Sequence, residues 1–237
     1  MIKEPCIFLP GTLCDERIWL NIWRQLNTQE RYYVPLQWAE NLEQMLALTS
    51  DRVQQCNKRV HLIGYSMGGY IASLYALKHK DKVASLTLIS YDPYGLSKLE
   101  TQARQLVVKM LKHNPTLNLG QKRLANYFTS DELQQQDLSA LVVDMEEDLG
   151  IQTLVNQIKA TTPRTDLVNK LADVNFPIYC LVGSEDKIAN PSNIKTFANN
   201  HEHVKSLVFA STSHMIPITR PNELAKNIEE FIEGKSR

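Results

Sequence analysis

A serine between two glycines is the residue of this 237-residue sequence best placed to do chemistry. The segment Gly64-Tyr65-Ser66-Met67-Gly68 has the pattern G-x-S-x-G and lies between an apolar run and a stretch of helical period. A serine alcohol is a poor nucleophile at neutral pH, so it must be held on a tight turn beside a base and hydrogen-bond donors. The glycines let a strand and a helix approach closely around such a turn. The pattern therefore predicts that Ser66 is a nucleophile.

Two later loops contain the acid and the base that a serine nucleophile requires. Gly183-Ser184-Glu185-Asp186-Lys187 follows one apolar run, and Ser211-Thr212-Ser213-His214-Met215 follows the next. The carboxyl ends of parallel strands meet at one edge of a sheet, which is where doubly wound folds place their sites. In chain order, the sequence offers Ser66, an acid at Asp186 and a base at His214.

The elements that must position these residues alternate between short apolar runs and longer segments of helical period. This alternation is typical of a parallel sheet with helices on both faces. The predicted strands are Cys6–Leu9, Tyr32–Leu36, Val60–Gly64, Val83–Ile89, Ile178–Val182 and Val204–Ala210. The predicted helices around them are Ile18–Leu26, Asn41–Gln55, Met67–Lys80, Asn193–Asn200 and Glu223–Ile232, the last preceded by Pro221 as a helix start. We predict an α/β fold with a doubly wound, mostly parallel sheet.

The interval between Ile89 and Ile178 contains no convincing strand. Four helices are predicted there, each with apolar residues three and four apart: Leu96–Lys112, Leu119–Phe128, Glu132–Glu146 and Ile151–Lys159. Ser130 is suited to cap the third helix, and the acidic residues of Asp144–Asp148 are interpreted as a solvated helix face. The sequence therefore predicts a core formed by residues 1–92 and 163–237, and an all-helical insertion at 93–162 over one end of the sheet.

Composition and charge exclude several classes of function. Twenty-six basic and 26 acidic residues give a net charge of zero, so no nucleic-acid partner is expected. The apolar runs are far shorter than the ~18–20 residues of a membrane span, and we expect a cytoplasmic protein.

Four cysteines, at 6, 14, 56 and 180, form no C-x-x-C pair. Cys14 is interpreted as a core or pocket-lining residue. No metal-binding or nucleotide-binding motif occurs, so no cofactor or metal is expected.

These residues together resemble the α/β-hydrolase family. The resemblance rests on the order Ser66, Asp186, His214, on the segment Gly64–Gly69, and on the tail from His214 to Asn222, and it extends over nearly the whole chain. It implies the α/β-hydrolase fold, with the insertion at 93–162 as a lid over the site.

The resemblance also implies a role for each group. His214 would take the proton of the Ser66 hydroxyl and return it to the leaving alcohol, while Asp186 would fix the imidazole tautomer. The backbone N–H of Met67 and that of Thr12, with Leu13 as the alternative, would hold the oxyanion.

Two features depart from the family pattern, and two acidic residues compete with the assignment of Asp186. Pro10-Gly11 stands where the family commonly has His-Gly, and Ser213 stands where it often has glycine. Asp92 is a rival acid, because some hydrolases of this fold place the carboxylate after the preceding strand, and Glu185 lies one position from the matched motif.

The implied function is hydrolysis of carboxylic esters through an acyl-enzyme on Ser66. Apolar lid residues suit a small apolar acyl ester or thioester as substrate: Leu106, Val107, Met110, Leu124, Phe128, Leu141, Val142 and Leu154. Thioesters, lactones and carbon–carbon bonds next to carbonyls are alternatives, since similar family members hydrolyse them. An alternative from a different class is a non-catalytic protein that binds a small molecule in the same pocket, and the oligomeric state stays open.

Overall fold

The fold is built on one parallel sheet, seen in a computed structural model that describes residues 1–113 and 120–235. Its six strands lie in the order β2-β1-β3-β4-β5-β6, and every neighbouring pair is parallel. The strands are β1 (Cys6–Leu9), β2 (Arg31–Tyr33), β3 (Val60–Tyr65), β4 (Val83–Ile89), β5 (Ile178–Gly183) and β6 (Val204–Phe209). The predicted fold class is confirmed. The predicted bounds of β2 are wrong, since Pro35 has no N–H to donate and Leu36–Trp38 forms a 3-10 turn.

Ten helices lie in the described residues. They are α1 (Leu20–Gln25), α2 (Leu42–Gln54), α3 (Met67–Lys78), α4 (Lys98–His113), α5 (Gly120–Tyr127), α6 (Gln136–Ala160), α7 (Val168–Ala172), α8 (Pro191–Asn199), α9 (Ile216–Thr219) and α10 (Pro221–Ile232). Helix α10 begins at Pro221 as predicted. None of the helices in this part of the chain has the length and apolar character that crossing a bilayer requires.

Each face of the sheet packs against its own set of helices. Side chains alternate along a strand, so Ile7 and Leu9 of β1 face α2, α3, α7 and α8, while Cys6 and Phe8 face α1, α9 and α10. Every residue of β1, β3 and β5 is buried. The apolar runs recognised in the sequence are continuous because both faces of the sheet are covered.

Between β4 and β5, the described residues form helices α4 to α7 and no strand. The two ends of this insertion are joined: the Leu96 N–H donates to the Arg164 carbonyl (3.1 Å), and the Leu167 N–H donates to the Pro93 carbonyl (2.9 Å). The two helices predicted on either side of residue 150 are the two halves of α6, separated by a sharp break at Gly150, where φ is 72°. Leu119, the predicted start of the helix that becomes α5, lies outside the described residues.

Two local predictions in the insertion are wrong. The residue that caps the start of the third predicted helix is Thr129 rather than Ser130. The Thr129 hydroxyl accepts from the Glu132 N–H (3.1 Å), and the Glu132 carboxylate accepts from the Thr129 N–H (2.7 Å). Within the acidic segment, Glu146 is buried rather than solvated, and its carboxylate lies 3.0 Å from Nε of Arg123. The Glu146 carboxylate, which the sequence pattern assigned to solvent, is therefore buried in an ion pair inside the insertion.

Candidate active site

Ser66 lies on a strained turn between β3 and α3. Its φ of 50° and ψ of −113° are unusual for a residue with a side chain. The neighbouring glycines allow the turn to close: a Cβ on Gly68 would lie 2.2 Å from the Leu9 carbonyl oxygen, and one on Gly64 would lie 2.5 Å from the Gly68 carbonyl oxygen. The turn leaves the Ser66 side chain partly exposed at the carboxyl end of the sheet.

The structure brings Ser66, His214 and Asp186 together in one hydrogen-bonded chain. Nε2 of His214 lies 3.0 Å from Oγ of Ser66. Nδ1 of the same imidazole lies 2.9 Å from Oδ2 and 3.0 Å from Oδ1 of Asp186. The three residues follow β3, β5 and β6, so the parallel order of the sheet places them at one edge.

The Asp186 carboxylate is buried but well satisfied. Besides the imidazole, its Oδ1 accepts the N–H of Ile188 (2.8 Å) and the N–H of Ala189 (2.9 Å). Burial acts to raise the pKa of this carboxyl, but the charge of His214 and the donated hydrogen bonds outweigh burial and hold the pKa below its usual value. Asp186 is therefore ionised at neutral pH.

The His214 ring is fixed from several sides. The ring of Tyr127 on α5 stacks on it, with centroids 5.8 Å apart and planes at 21°, and the ring of Tyr65 lies 5.4 Å away. The His214 N–H donates to the Tyr127 carbonyl (3.1 Å), and the Ser90 hydroxyl donates to the His214 carbonyl (2.9 Å). The insertion therefore helps to position the imidazole.

Backbone donors surround Ser66 on the side of β1. Within residues 1–113 and 120–235, neither the N–H of Met67 nor that of Thr12 donates to a protein acceptor, whereas the Leu13 N–H donates to Oε1 of Gln157 (2.8 Å). A Cβ on Gly11 would lie 3.5 Å from Cβ of Ser66, which puts the loop containing Thr12 beside the serine. Of the two alternatives left by the sequence, Thr12 has the free N–H.

The rival residues do not contact the imidazole. Asp92 accepts instead from the Asn193 side chain (2.7 Å) and from the Tyr94 N–H (2.9 Å), and Glu185 is exposed. Cys14 lines a cavity beside Ser66, and burial raises the pKa of its thiol to about 12, which makes it a poor nucleophile. No group of three His, Cys, Asp or Glu side chains suited to a metal ion occurs among the described residues.

Two cavities meet at Ser66. One of about 400 Å³ is largely apolar, with Val107, Val142, Leu154 and Ile158 from the insertion in its wall. The other, of about 640 Å³, has a mixed polar and apolar wall that includes Asp92 and Asn193. Of the residues predicted to face the site, Leu106 and Met110 are each 57% exposed and point to solvent instead.

Sequence reasoning missed the charged and aromatic residues that line these cavities. Arg104 and Arg164 line both cavities, and Arg123 and Tyr127 line the apolar one. The signal was present in part: Arg104 lies three residues before Val107, so a basic side chain shares the apolar face of α4.

Comparison with known proteins agrees with this arrangement. A model of the alpha/beta hydrolase fold matches residues 56–221, which is more than half of the chain. The chain belongs to the α/β-hydrolase family. The match includes Ser66, Asp186 and His214.

Several relatives of this α/β hydrolase bear names of ester-cleaving enzymes. It is 25% identical over 186 residues to the monoacylglycerol lipase ABHD6 of Mus musculus, covering 74% of this chain and 55% of the lipase. It is 22% identical over 194 residues to the pimeloyl-[acyl-carrier protein] methyl ester esterase of Aeromonas hydrophila, covering 76% and 71%. The chain thus spans about half the length of the lipases it matches.

Among solved structures, a thermophilic esterase from Thermogutta terrifontis superimposes with a TM-score of 0.84 and 18% identity, covering 100% of this chain and 92% of the esterase. At that identity, the likeness establishes the fold alone.

Proposed function

We propose that this α/β hydrolase is a serine hydrolase that cleaves carboxylic esters through an acyl-enzyme on Ser66. The observation that carries the proposal is the continuous chain from Ser66 Oγ through His214 to Asp186, with contacts of 3.0 and 2.9 Å. A serine needs this combination of base and orienting acid to become a nucleophile at neutral pH.

In the first half of the proposed reaction, Nε2 of His214 takes the proton of the Ser66 hydroxyl as Oγ attacks the ester carbonyl carbon. The carbonyl oxygen becomes an oxyanion, which accepts from the N–H groups of Met67 and Thr12. The intermediate collapses, the imidazolium gives its proton to the leaving alcohol, and the acyl group stays on Oγ. Asp186 stabilises the imidazolium throughout.

In the second half, water takes the place of the alcohol. His214 removes a proton from the water as it attacks the acyl carbon, and the same backbone donors hold the second oxyanion. Collapse of this intermediate returns the proton to Oγ of Ser66 and releases a carboxylic acid. Each residue therefore acts twice in the cycle.

The apolar cavity supports an acyl group of small or medium size as the substrate's apolar part. This cavity of about 400 Å³ has Ser66 in its wall, and α4, α5 and α6 form part of that wall. The names of the relatives, a monoacylglycerol lipase and a methyl ester esterase, support ester bonds as the bonds cleaved.

We further propose that residues 93–162 form a lid on a core of 1–92 and 163–237. Backbone hydrogen bonds that join Pro93 to Leu167 and Leu96 to Arg164 bring the two ends of this segment together, and the segment supplies part of the cavity wall; both observations support this division. A cytoplasmic location is supported by the cysteines, since all four are free and three are buried.

The test is hydrolysis of p-nitrophenyl esters from acetate to octanoate by wild type, Ser66→Ala and His214→Ala. Both variants should lose at least about 10³-fold in kcat, because each removes a member of the proton-transfer chain. Ser192→Ala is the matched control, since this serine is exposed on α8. Absence of ester hydrolysis by folded wild type, or full activity of Ser66→Ala, would overturn the proposal.

A further inference from the structure

Two arginines beside Ser66 form no ion pair. Arg104 on α4 and Arg164 after α6 line both cavities, at the place where these meet next to the serine. Neither guanidinium lies within 4.0 Å of a carboxylate among the described residues, unlike Arg17 and Arg123. Arginine is always charged in proteins, so this part of the site has a positive charge without a partner.

Arg164 is the more unusual of the two. Its Nε is buried and has no hydrogen-bond partner in the described chain, and the guanidinium lies over the ring of Tyr70, 5.6 Å from the centroid. The hydroxyl of the buried Tyr91 also lacks a partner. Both residues line the cavity that has Ser66 in its wall, so two side chains there have hydrogen-bonding capacity that no described residue uses.

Arg104 is held in place by side chains at the end of the insertion. Its Nε donates to the hydroxyl of Thr162 and its Nη2 to that of Thr161, both at 2.8 Å. These bonds leave Nη1 uncommitted and fix the plane of the guanidinium. The side chain is therefore pre-organised rather than free to turn toward solvent.

Among the described residues, no acidic group nearby forms a direct ion pair with either arginine. Glu100 faces the same cavity, but its carboxylate accepts from the Ser97 N–H (2.8 Å) and makes no ion pair with either arginine. Asp92 is committed to Asn193 and Tyr94. Burial, and then the charge of Arg164, lower the pKa of Arg104 to about 9, and burial lowers the pKa of Arg164. An anion between them would relieve both effects.

We propose that Arg104 and Arg164 form an anion subsite that binds a carboxylate of the substrate beside the scissile ester. This rests on the proposed function and narrows it to esters that carry a second, ionised acid group, such as half-esters of dicarboxylic acids. A guanidinium matches a carboxylate with two parallel N–H donors.

The first experiment compares mono-p-nitrophenyl glutarate with its methyl ester, which differ by one methyl group and one charge, after the spontaneous hydrolysis of each is subtracted. Wild type should prefer the charged substrate by about 10- to 100-fold in kcat/KM, the range of a charged hydrogen bond. Arg104→Gln and Arg104→Lys should each reduce this ratio, the lysine variant by less. Arg24→Gln is the matched control, because Arg24 is exposed on α1 and should leave the ratio unchanged.

The second experiment does not depend on catalysis. Glutarate binding to Ser66→Ala is measured by calorimetry, with sodium chloride at equal ionic strength as the control for general salt effects. Glutarate should bind, and Arg104→Gln in the same background should weaken its binding at least about 10-fold. If the proposed hydrolase function alone is wrong, neither ester turns over but glutarate still binds. A wild-type ratio near one together with no glutarate binding would overturn the anion subsite.

Discussion

The substitution Asp186→Asn probes the proposed role of the acid without changing the size of its side chain. In the structure, Oδ1 accepts the N–H groups of Ile188 and Ala189, while Oδ2 lies 2.9 Å from Nδ1 of His214. An asparagine at this position will keep its carbonyl oxygen toward the two backbone donors. Its NH₂ group then faces Nδ1 and donates to it.

That reversed hydrogen bond selects the wrong imidazole tautomer. With Nδ1 as acceptor, the proton of neutral His214 is on Nε2, which lies 3.0 Å from Oγ of Ser66 and can no longer take the serine proton. The expected loss in kcat is about 10³- to 10⁴-fold, the scale known for the same change in serine proteases. This corresponds to about 4 to 5.5 kcal/mol of transition-state stabilisation.

The assay is steady-state hydrolysis of p-nitrophenyl butyrate, with circular dichroism to confirm folding. Asp92→Asn is the matched control, because Asp92 bonds to Asn193 and Tyr94 and not to His214, and it should stay within about tenfold of wild type. The reasoning is refuted if Asp186→Asn retains more than a tenth of the wild-type rate, or if Asp92→Asn is the more damaging change.

Three further predictions concern stability, each measured by chemical denaturation. Gly68→Ala should destabilise the fold by about 3 kcal/mol or more, because its Cβ would lie 2.2 Å from the Leu9 carbonyl oxygen; a loss under 1 kcal/mol would contradict the tight turn. Glu146→Gln should cost about 2 kcal/mol, because it uncouples the buried Arg123, whereas the exposed Glu147→Gln should cost almost nothing. Folding lowers the pKa of Asp186, so its ionised carboxylate stabilises the folded state. This contribution is fully present above the unfolded pKa of about 3.9, and it is lost as the pH falls through the lower pKa of the folded state. Unfolding free energy should therefore fall more steeply below pH 4 in wild type than in Asp186→Asn, and parallel curves would contradict this.

Much of the core was predictable because its elements have strong local signals. The strands β1 and β4 lie where continuous apolar runs predicted them, since both faces of the sheet are covered. Ser66, Asp186 and His214 each follow such a run, so strand order alone predicted that their loops share one edge. The predicted bounds of the second strand were wrong, because Pro35 ends its hydrogen-bonded pairing earlier than the apolar residues around it suggested.

The insertion was less predictable because its contacts are distant in sequence. The choice between Thr12 and Leu13 depends on Gln157, whose side chain accepts the Leu13 N–H from 144 residues away. Helical period alone places Arg104 on α4 but does not show that Thr161 and Thr162 hold it against the cavity. Burial of Glu146 likewise depends on Arg123, which belongs to a different helix. Tertiary partners of this kind leave no local pattern.

The most direct test of the central claim, that Ser66 is the activated nucleophile, is covalent labelling with a fluorophosphonate followed by peptide mass spectrometry. Folded wild type at neutral pH should give one adduct, on the peptide that contains Ser66, and the label should be absent from Ser66→Ala and much slower in His214→Ala. A folded wild-type protein that takes no label, or that is labelled on another residue, would contradict the claim.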